Sequence, residues 1–577
     1  MPVDGLGHRN ARESNHKWFS GAGMSLGLIG FLSTRGWVVR RVSRAAAIAL
    51  GVALGAGIVQ PVAAQEEKAL RVPDLSYRLA LAEAAAGRPA IARFYREHDY
   101  AALWTAPEAQ VRRGALISAL ERAEEHGLPS FAPRSRDLLA RLGAMQTQAD
   151  RAQLEVAMSA AFLDYARALH SGVLTPAKVD PGIVREVPRL DPLKLLQDFA
   201  RSEPRAYLRA LAPQVPQYDQ LRRAMLDLRE VIAAGGWGPA VPGGKKLAPG
   251  DTGARVVALR DRLIRMDYLR PTLSAVYERE IQKAVQQFQL DHGLTPDGIA
   301  GPSTLAEINV GPEERLRSVL VALERLRWMN GLDLGERHVW VNIPDFTAKV
   351  IDDGKQRFET ITVVGKDQPD RRSPEFSDLM EYMVINPTWN VPRSIAVKEY
   401  LPKLKKNPNA VRHLRITDRR GRVIDRSKVD FTQFTARNFP FNMSQPPDDD
   451  NALGLVKFMF PNPWNIYLHD TPSKSLFSRE VRAFSHGCIR LGQPFEFAYV
   501  LLERQSDDPK VEFHRHLRTG RETTVPLEQP VPVHIVYFTA WPDRFGQVRF
   551  RRDVYGRDGR IFDALRAAGL EFDALRG

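Results

Sequence analysis

Cys488 is the sole cysteine in a chain of 577 residues. It stands in Phe484-Ser485-His486-Gly487-Cys488-Ile489-Arg490, 19 residues after His469 of Tyr467-Leu468-His469-Asp470-Thr471-Pro472. A thiol with its usual pKa of about 8.5 is mostly protonated at neutral pH and needs a base or a positive field to act as a nucleophile. His469, His486 and Arg490 are close enough in sequence to provide both. Gly487 would let backbone N–H groups approach a developing oxyanion, where acyl transfer gains much of its rate. One Cys–His pair would be weak support, because a buried, hydrogen-bonded histidine is the commoner case. The sole cysteine set between two histidines and an arginine favours nucleophilic catalysis over a buried, inert thiol. Spacing does not tell which histidine is the base.

The rest of the chain must hold this pattern in place. With 44% hydrophobic and 26% charged residues, it is not globally disordered. Its length predicts about three or four domains of roughly 150 residues each. A single cysteine excludes an internal disulfide framework and a zinc site built from several thiolates. The net charge of +14 selects no partner, since no Lys/Arg block stands out. No nucleic-acid motif is present, and nucleic acid is not an expected partner.

Arg40, Arg41 and Arg44 precede an uncharged run at 45–59, followed by Pro61-Val62-Ala63-Ala64-Gln65. This pattern predicts an export segment over 1–64, cleaved after Ala64. The run is short and Ala/Gly-rich for a membrane span of about 20 residues. Left uncleaved, it would associate the protein with the inner membrane.

Residues 65–236 read as an α-helical scaffold domain, with amphipathic stretches at 153–169 and 202–234. Phe94, Tyr95, Tyr100, Leu103 and Trp104 could line a ligand shelf, but aromatics at such spacing are more often core. Residues 237–246 are a Gly/Pro linker by composition. Residues 247–309 form a three-helix unit with Asp251 as expected cap, Ile281, Ala284, Val285 and Phe288 on one face, and Pro302 opening the last helix. From 337 to 545 β-branched and aromatic runs at 338–343, 348–351, 360–365 and 533–538 predict a mainly antiparallel sheet or barrel. A basic, Pro-containing insertion at about 390–451 is a candidate lid. Residues 546–577 are expected to be a C-terminal extension. The fold class is multidomain α+β.

Two stretches resemble known families. Leu247-x-x-Gly250-Asp251-x-Gly253 with Val256 and Leu259, Ala284-Val285-x-x-Phe288-Gln289, and Gly293-Leu294-x-x-Asp297-Gly298-x-x-Gly301-Pro302-x-Thr304-Leu305 resemble the peptidoglycan-binding-like domain. That resemblance implies docking on cell-wall polymer; the bland alternative is a spacer that has kept the fold. His469, followed by 15 residues and Ser485-His486-Gly487-Cys488-x-Arg490, resembles the signature of the L,D-transpeptidase catalytic domain. Val341-Asn342-Ile343-Pro344, Asn386-Pro387-x-Trp389-x-Val391-Pro392 and Asn451-Ala452-Leu453-Gly454 are similar to its large, multidomain periplasmic subtype. Asp448-Asp449-Asp450 departs from that pattern, where a Gly-containing turn is expected. A solvated loop is preferred there over a calcium site.

The resemblance implies Cys488 as nucleophile and His469 as general base, its other ring nitrogen held by a backbone carbonyl at Asp470. His486 and Gly487 would shape an oxyanion hole with the Cys488 amide. Ser485 supports that loop, and Arg490 would supply positive potential or bind a carboxylate. The implied reaction is 3→3 cross-linking of peptidoglycan in the periplasm, through a thioester formed as terminal D-alanine leaves. The partners would be a tetrapeptide donor stem, a diaminopimelate amine acceptor and other wall synthases. An amide is exchanged for an amide, so no cofactor or metal is expected. L,D-carboxypeptidase action and attachment of a protein to the wall share this chemistry. A non-catalytic wall-binding scaffold and a thiol protease are the more distant alternatives.

Overall fold

The computed structural model describes residues 75–571, so the export segment expected at 1–64 lies outside the described residues. All of them fall within one unit, Arg71–Gly577. Helices fill Leu75–Ala233. The longest, Gln148–Ser171, starts at a capping box. Thr147 Oγ1 accepts from the Asp150 amide, and the Asp150 carboxylate accepts from the Thr147 amide.

From that helix Glu155, fully buried, accepts the amides of Leu103, Trp104 and Thr105, the Thr105 hydroxyl at 2.7 Å and the Tyr95 hydroxyl at 3.1 Å. Burial raises its pKa, while this ring of donors pulls the other way. Phe94, Tyr95 and Trp104 are therefore core, not a ligand shelf. Trp104 stacks on Phe199 with ring centroids 5.3 Å apart.

The three-helix unit consists of Ala254–Arg265, Arg279–Asp291 and Pro302–Ile308, packed through Val256, Leu259, Leu263, Ile281, Val285 and Phe288. One expectation is corrected: Asp251 does not cap the first helix, whose N-cap is Gly253. The Asp251 carboxylate instead accepts from the Ala248 amide at 2.8 Å and closes the preceding turn. Nor does the Gly/Pro linker run free. Val241 exchanges two hydrogen bonds with the Asn309 side chain, and Arg262 donates to Gly238 O at 2.9 Å.

The helix Pro312–Trp328 leads from this unit into the sheet and packs with the helical domain's core. The strands are β1 (Arg337–Asn342), β2 (Thr347–Asp352), β3 (Lys355–Gly365), β4 (Phe376–Ile385), β5 (Trp389–Asn390), β6 (Arg415–Thr417) and β7 (Asn442–Gln445). They continue as β8 (Val456–Met459), β9 (Leu468–His469), β10 (Ala483–Ser485), β11 (Ile489–Leu491), β12 (Thr523–Val536), β13 (Ala540–Pro542) and β14 (Val548–Phe550).

The main sheet runs β10-β3-β11-β9-β8-β4-β12-β1-β2, and β2 pairs back onto β3, closing it into a barrel. The β1–β12, β9–β11 and β3–β10 pairs are parallel, and the rest are antiparallel. Alternation places Val339, Val341, Met383, Phe458, Leu468 and Ile489 in its core.

The insertion is a small body of its own. Its sheet, β5-β7-β6, covers a separate core that includes Leu401, Leu404, Leu414, Phe431 and Met443. Asp448 closes a turn by accepting the Asp450 amide at 3.0 Å. The segment after 545 is more than the extension expected of it. Tyr555 enters the barrel core, whereas Ile561, Phe562 and Leu565 of the helix Arg557–Ala567 join the helical core.

Candidate active site

β9 and β11 are short neighbouring strands, in register with Leu468 opposite Ile489 and His469 opposite Arg490. Cys488 immediately precedes β11 beside Tyr467, whose carbonyl accepts the Ile489 amide at 3.1 Å. The thiol is half-buried and lies 3.5 Å from the Asn465 carbonyl. Enclosure by protein pushes its pKa up to about 11, although hydrogen bonding to Tyr467 and the charge of Arg490 act against this.

His469 is buried, with Nδ1 2.5 Å from the Asp470 carbonyl. A carbonyl only accepts, so Nδ1 carries the proton, and the Leu453 backbone lies within hydrogen-bonding reach of the ring as well. Burial, then Arg490, lowers the imidazole pKa to about 3. At neutral pH the free site therefore holds a neutral thiol and a neutral imidazole, not a preformed ion pair. Alkylation of Cys488 by iodoacetamide should accelerate about tenfold per pH unit from pH 6 to 9, as the thiolate fraction grows. A plateau reached below pH 8 would contradict this.

The surrounding loops lock these positions. The Asp470 carboxylate accepts the Thr471 and Leu455 amides at 2.7 and 3.0 Å and pairs with Lys474 at 2.5 Å. Gly454, at φ +61°, lets this carboxylate sit against the backbone; a Cβ there would fall 2.3 Å from Oδ2.

In the Ser-His-Gly-Cys loop, Ser485 Oγ accepts the Gly487 amide at 3.1 Å and donates to the Cys488 carbonyl at 2.5 Å. Ser373 Oγ donates to the Gly487 carbonyl at 2.6 Å. The Gly487 amide, expected to face an oxyanion, is thus engaged by Ser485. The His486 ring is engaged as well: its Nε2 lies 2.5 Å from Glu399 Oε1 on the insertion. Arg490 Nε is buried with no hydrogen-bond partner, and burial lowers the pKa of its guanidinium.

The structure thus gathers Cys488, His469, Asp470 and Arg490 at one strand pair, but turns the His486 side chain to the insertion. Sequence reasoning missed Tyr467, Ser373 and Glu399. Tyr467 had a signal, since it lies two residues before His469 and so on the same face of the chain. Ser373 and Glu399 arrive from distant loops and had none.

A closed, mainly antiparallel barrel with a cysteine and a histidine on two neighbouring strands is the setting in which the family comparisons place this chain. Residues 336–512 match the model of the L,D-transpeptidase catalytic domain, residues 252–308 that described as "Putative peptidoglycan binding domain", and residues 89–225 the scaffold domain. The protein is a multidomain α+β chain with an L,D-transpeptidase catalytic domain joined to a peptidoglycan-binding domain.

A curated relative from Haemophilus influenzae, described as "Putative L,D-transpeptidase", is 30% identical over 298 residues, which is 51% of this chain and 59% of the relative. The chain thus spans about three-fifths of that relative's length. Crystal structures of L,D-transpeptidases from Xylanimonas cellulosilytica and Stackebrandtia nassauensis are each 14% identical and cover 52% of this chain. They are covered over 100% and 97% of their own length, with TM-scores of 0.16 and 0.21. Scores this low carry no weight for the fold, and the assignment rests on the domain matches.

Proposed function

We propose that the protein is a cell-wall L,D-transpeptidase that forms 3→3 cross-links by cysteine acyl transfer in the periplasm. The supporting observation is the ring of His469, whose Nδ1 is tied to the Asp470 carbonyl, which leaves Nε2 as the ring nitrogen that takes a proton, on the strand beside the one that follows Cys488. With thiol and imidazole both neutral at rest, Cys488 gives its proton to His469 as sulfur attacks the carbonyl of the third stem residue. The tetrahedral intermediate collapses to a thioester. The C–N bond to the terminal D-alanine breaks, and its amine leaves with the proton held by His469.

A diaminopimelate side-chain amine then attacks the thioester, passes a proton through His469 and returns sulfur as the thiol. The Cys488 amide is the donor for the oxyanion, and Arg490 supplies positive potential beside the thiol. The three-helix unit would hold the enzyme on wall polymer, and 1–64 would export it. Among the described residues no helix is long and apolar enough to cross a membrane.

Mass analysis of muropeptides after incubation with a disaccharide tetrapeptide tests this reading. A dimer one D-alanine lighter than two substrates is expected. Tripeptide alone would make the enzyme an L,D-carboxypeptidase. Unchanged substrate would overturn the acyl-transfer reading.

A further inference from the structure

We propose that Glu399 is a positioning residue that clasps the insertion to the Ser-His-Gly-Cys loop and so sets whether an acyl-enzyme is taken by an amine or by water. This inference rests on the function proposed above. The insertion has its own apolar core, and Tyr467 is the residue that packs on both that core and the barrel's. One aromatic ring is a narrow hinge for such a body, so the polar ties beside it matter.

Two polar residues of the insertion reach the catalytic loops. Lys398 pairs with Asp370 at 2.6 Å, but both side chains are more than half exposed, so this pair adds little. Glu399 is different. Its Oε1 accepts from His486 Nε2 at 2.5 Å and from Arg371 Nη2 at 2.9 Å, and all three side chains are about one-third exposed or less. Charge-assisted bonds that share one oxygen in a partly closed site are stronger and more directional than exposed pairs.

The backbone is shaped for this contact. Residues Ala396–Tyr400 form a π turn between the helical segments Arg393–Ile395 and Leu401–Lys406. The extra residue of a π turn re-aims side chains and is frequent at functional sites. Arg371 belongs to the loop between β3 and β4, and its carbonyl lies 3.8 Å from where a Cβ on Gly487 would stand. Glu399 therefore fastens the insertion to both walls of the nucleophile's turn. Ser373, two residues after Arg371, holds the Gly487 carbonyl from the same side.

The two fates of the thioester differ only in the nucleophile. In each, the C–S bond breaks and sulfur keeps the electron pair. An amine forms the new amide and water forms a carboxylic acid, and the proton released returns through His469 to sulfur. A closed insertion excludes water, and a loosened one admits it.

The test uses the full chain with Glu399→Ala and Glu399→Gln, reading the ratio of cross-linked dimer to hydrolysed tripeptide and the rate of Cys488 acylation by a carbapenem. The ratio should fall about tenfold or more for alanine, which removes both charged hydrogen bonds. It should fall about threefold for glutamine, whose carbonyl still accepts. Acylation should stay within about twofold of wild type, because Glu399 does not touch the thiol. Hydrogen exchange of the 393–406 amides should quicken in the alanine variant while the barrel's stays unchanged. An unaltered ratio, or unaltered exchange at 393–406, would overturn the clasp alone, since wild-type dimer formation would still support the transpeptidase reading. Wild-type protein that makes neither dimer nor tripeptide would overturn both.

Discussion

Cys488→Ala is expected to abolish cross-linking and covalent capture by a carbapenem while leaving thermal unfolding where it is. Removing a nucleophile that acts as a unit with its base costs about 10⁴-fold or more. The fold has little at stake in this side chain, because the thiol is small and half-buried and its contact with the Asn465 carbonyl is 3.5 Å long. Removing one sulfur atom from a half-buried position alters stability by roughly 1 kcal/mol or less. Because Cys488 is the sole cysteine, an adduct seen by intact mass in the wild type and lost in Cys488→Ala is assigned to that thiol. Cross-linked dimer made by the purified variant would remove Cys488 from its proposed role. His469→Ala should also lose dimer formation, but its thiol should still be alkylated at high pH, since Arg490 and Tyr467 remain beside it.

The candidate site was more legible in the sequence than its surroundings. Cys488, His469, Ser485, Gly487 and Arg490 occur in two short motifs, and short strands carry such motifs almost unchanged into space. The three-helix unit was similarly plain, because the 3.6-residue spacing of Ile281, Val285 and Phe288 is a local property. What could not be read depends on long-range pairing.

Nothing near Asp251 tells that Gly253 rather than Asp251 starts the helix, since Asp251 is equally suited to closing a turn. Nor does anything near Glu399 indicate that it meets His486, 87 residues further along the chain. The pKa of the thiol was also out of reach. Sequence neighbours offered positive charge, but enclosure outweighs it and moves the thiol up rather than down. Under the proposed function the proton would therefore move during attack rather than before it.

The second large effect is expected far from the thiol, at Glu375. This carboxylate, just before β4, is buried against two arginines: Arg325 of the helix Pro312–Trp328, and Arg557 at 3.1 Å from the last helix. Its backbone joins a third element, donating to Gly182 O at 2.8 Å and accepting from the Val184 amide at 2.8 Å. Arg557 is itself fully buried and donates to Ser373 O at 3.1 Å, and Ser373 holds the Gly487 carbonyl. The helical domain, the C-terminal helix and the nucleophile's turn therefore meet at one charge. A buried ion pair need not add stability relative to a well-packed apolar substitute. Removing one partner is another matter, because the arginines would remain buried with less to pair with. Asp558, 3.4 Å from Arg325, and Asp180, 3.6 Å from Arg557, are too distant to compensate fully. Glu375→Ala should cost about 3–5 kcal/mol, lowering the first thermal transition by roughly 5–10 °C. Glu375→Gln, which keeps an acceptor for one arginine, should fall between. Because Ser373 is held through Arg557, the rate of Cys488 acylation should drop in the alanine variant even at temperatures where it remains folded. An unchanged first transition would show that the two arginines find other partners, and acylation at the wild-type rate would separate this network from the nucleophile's turn.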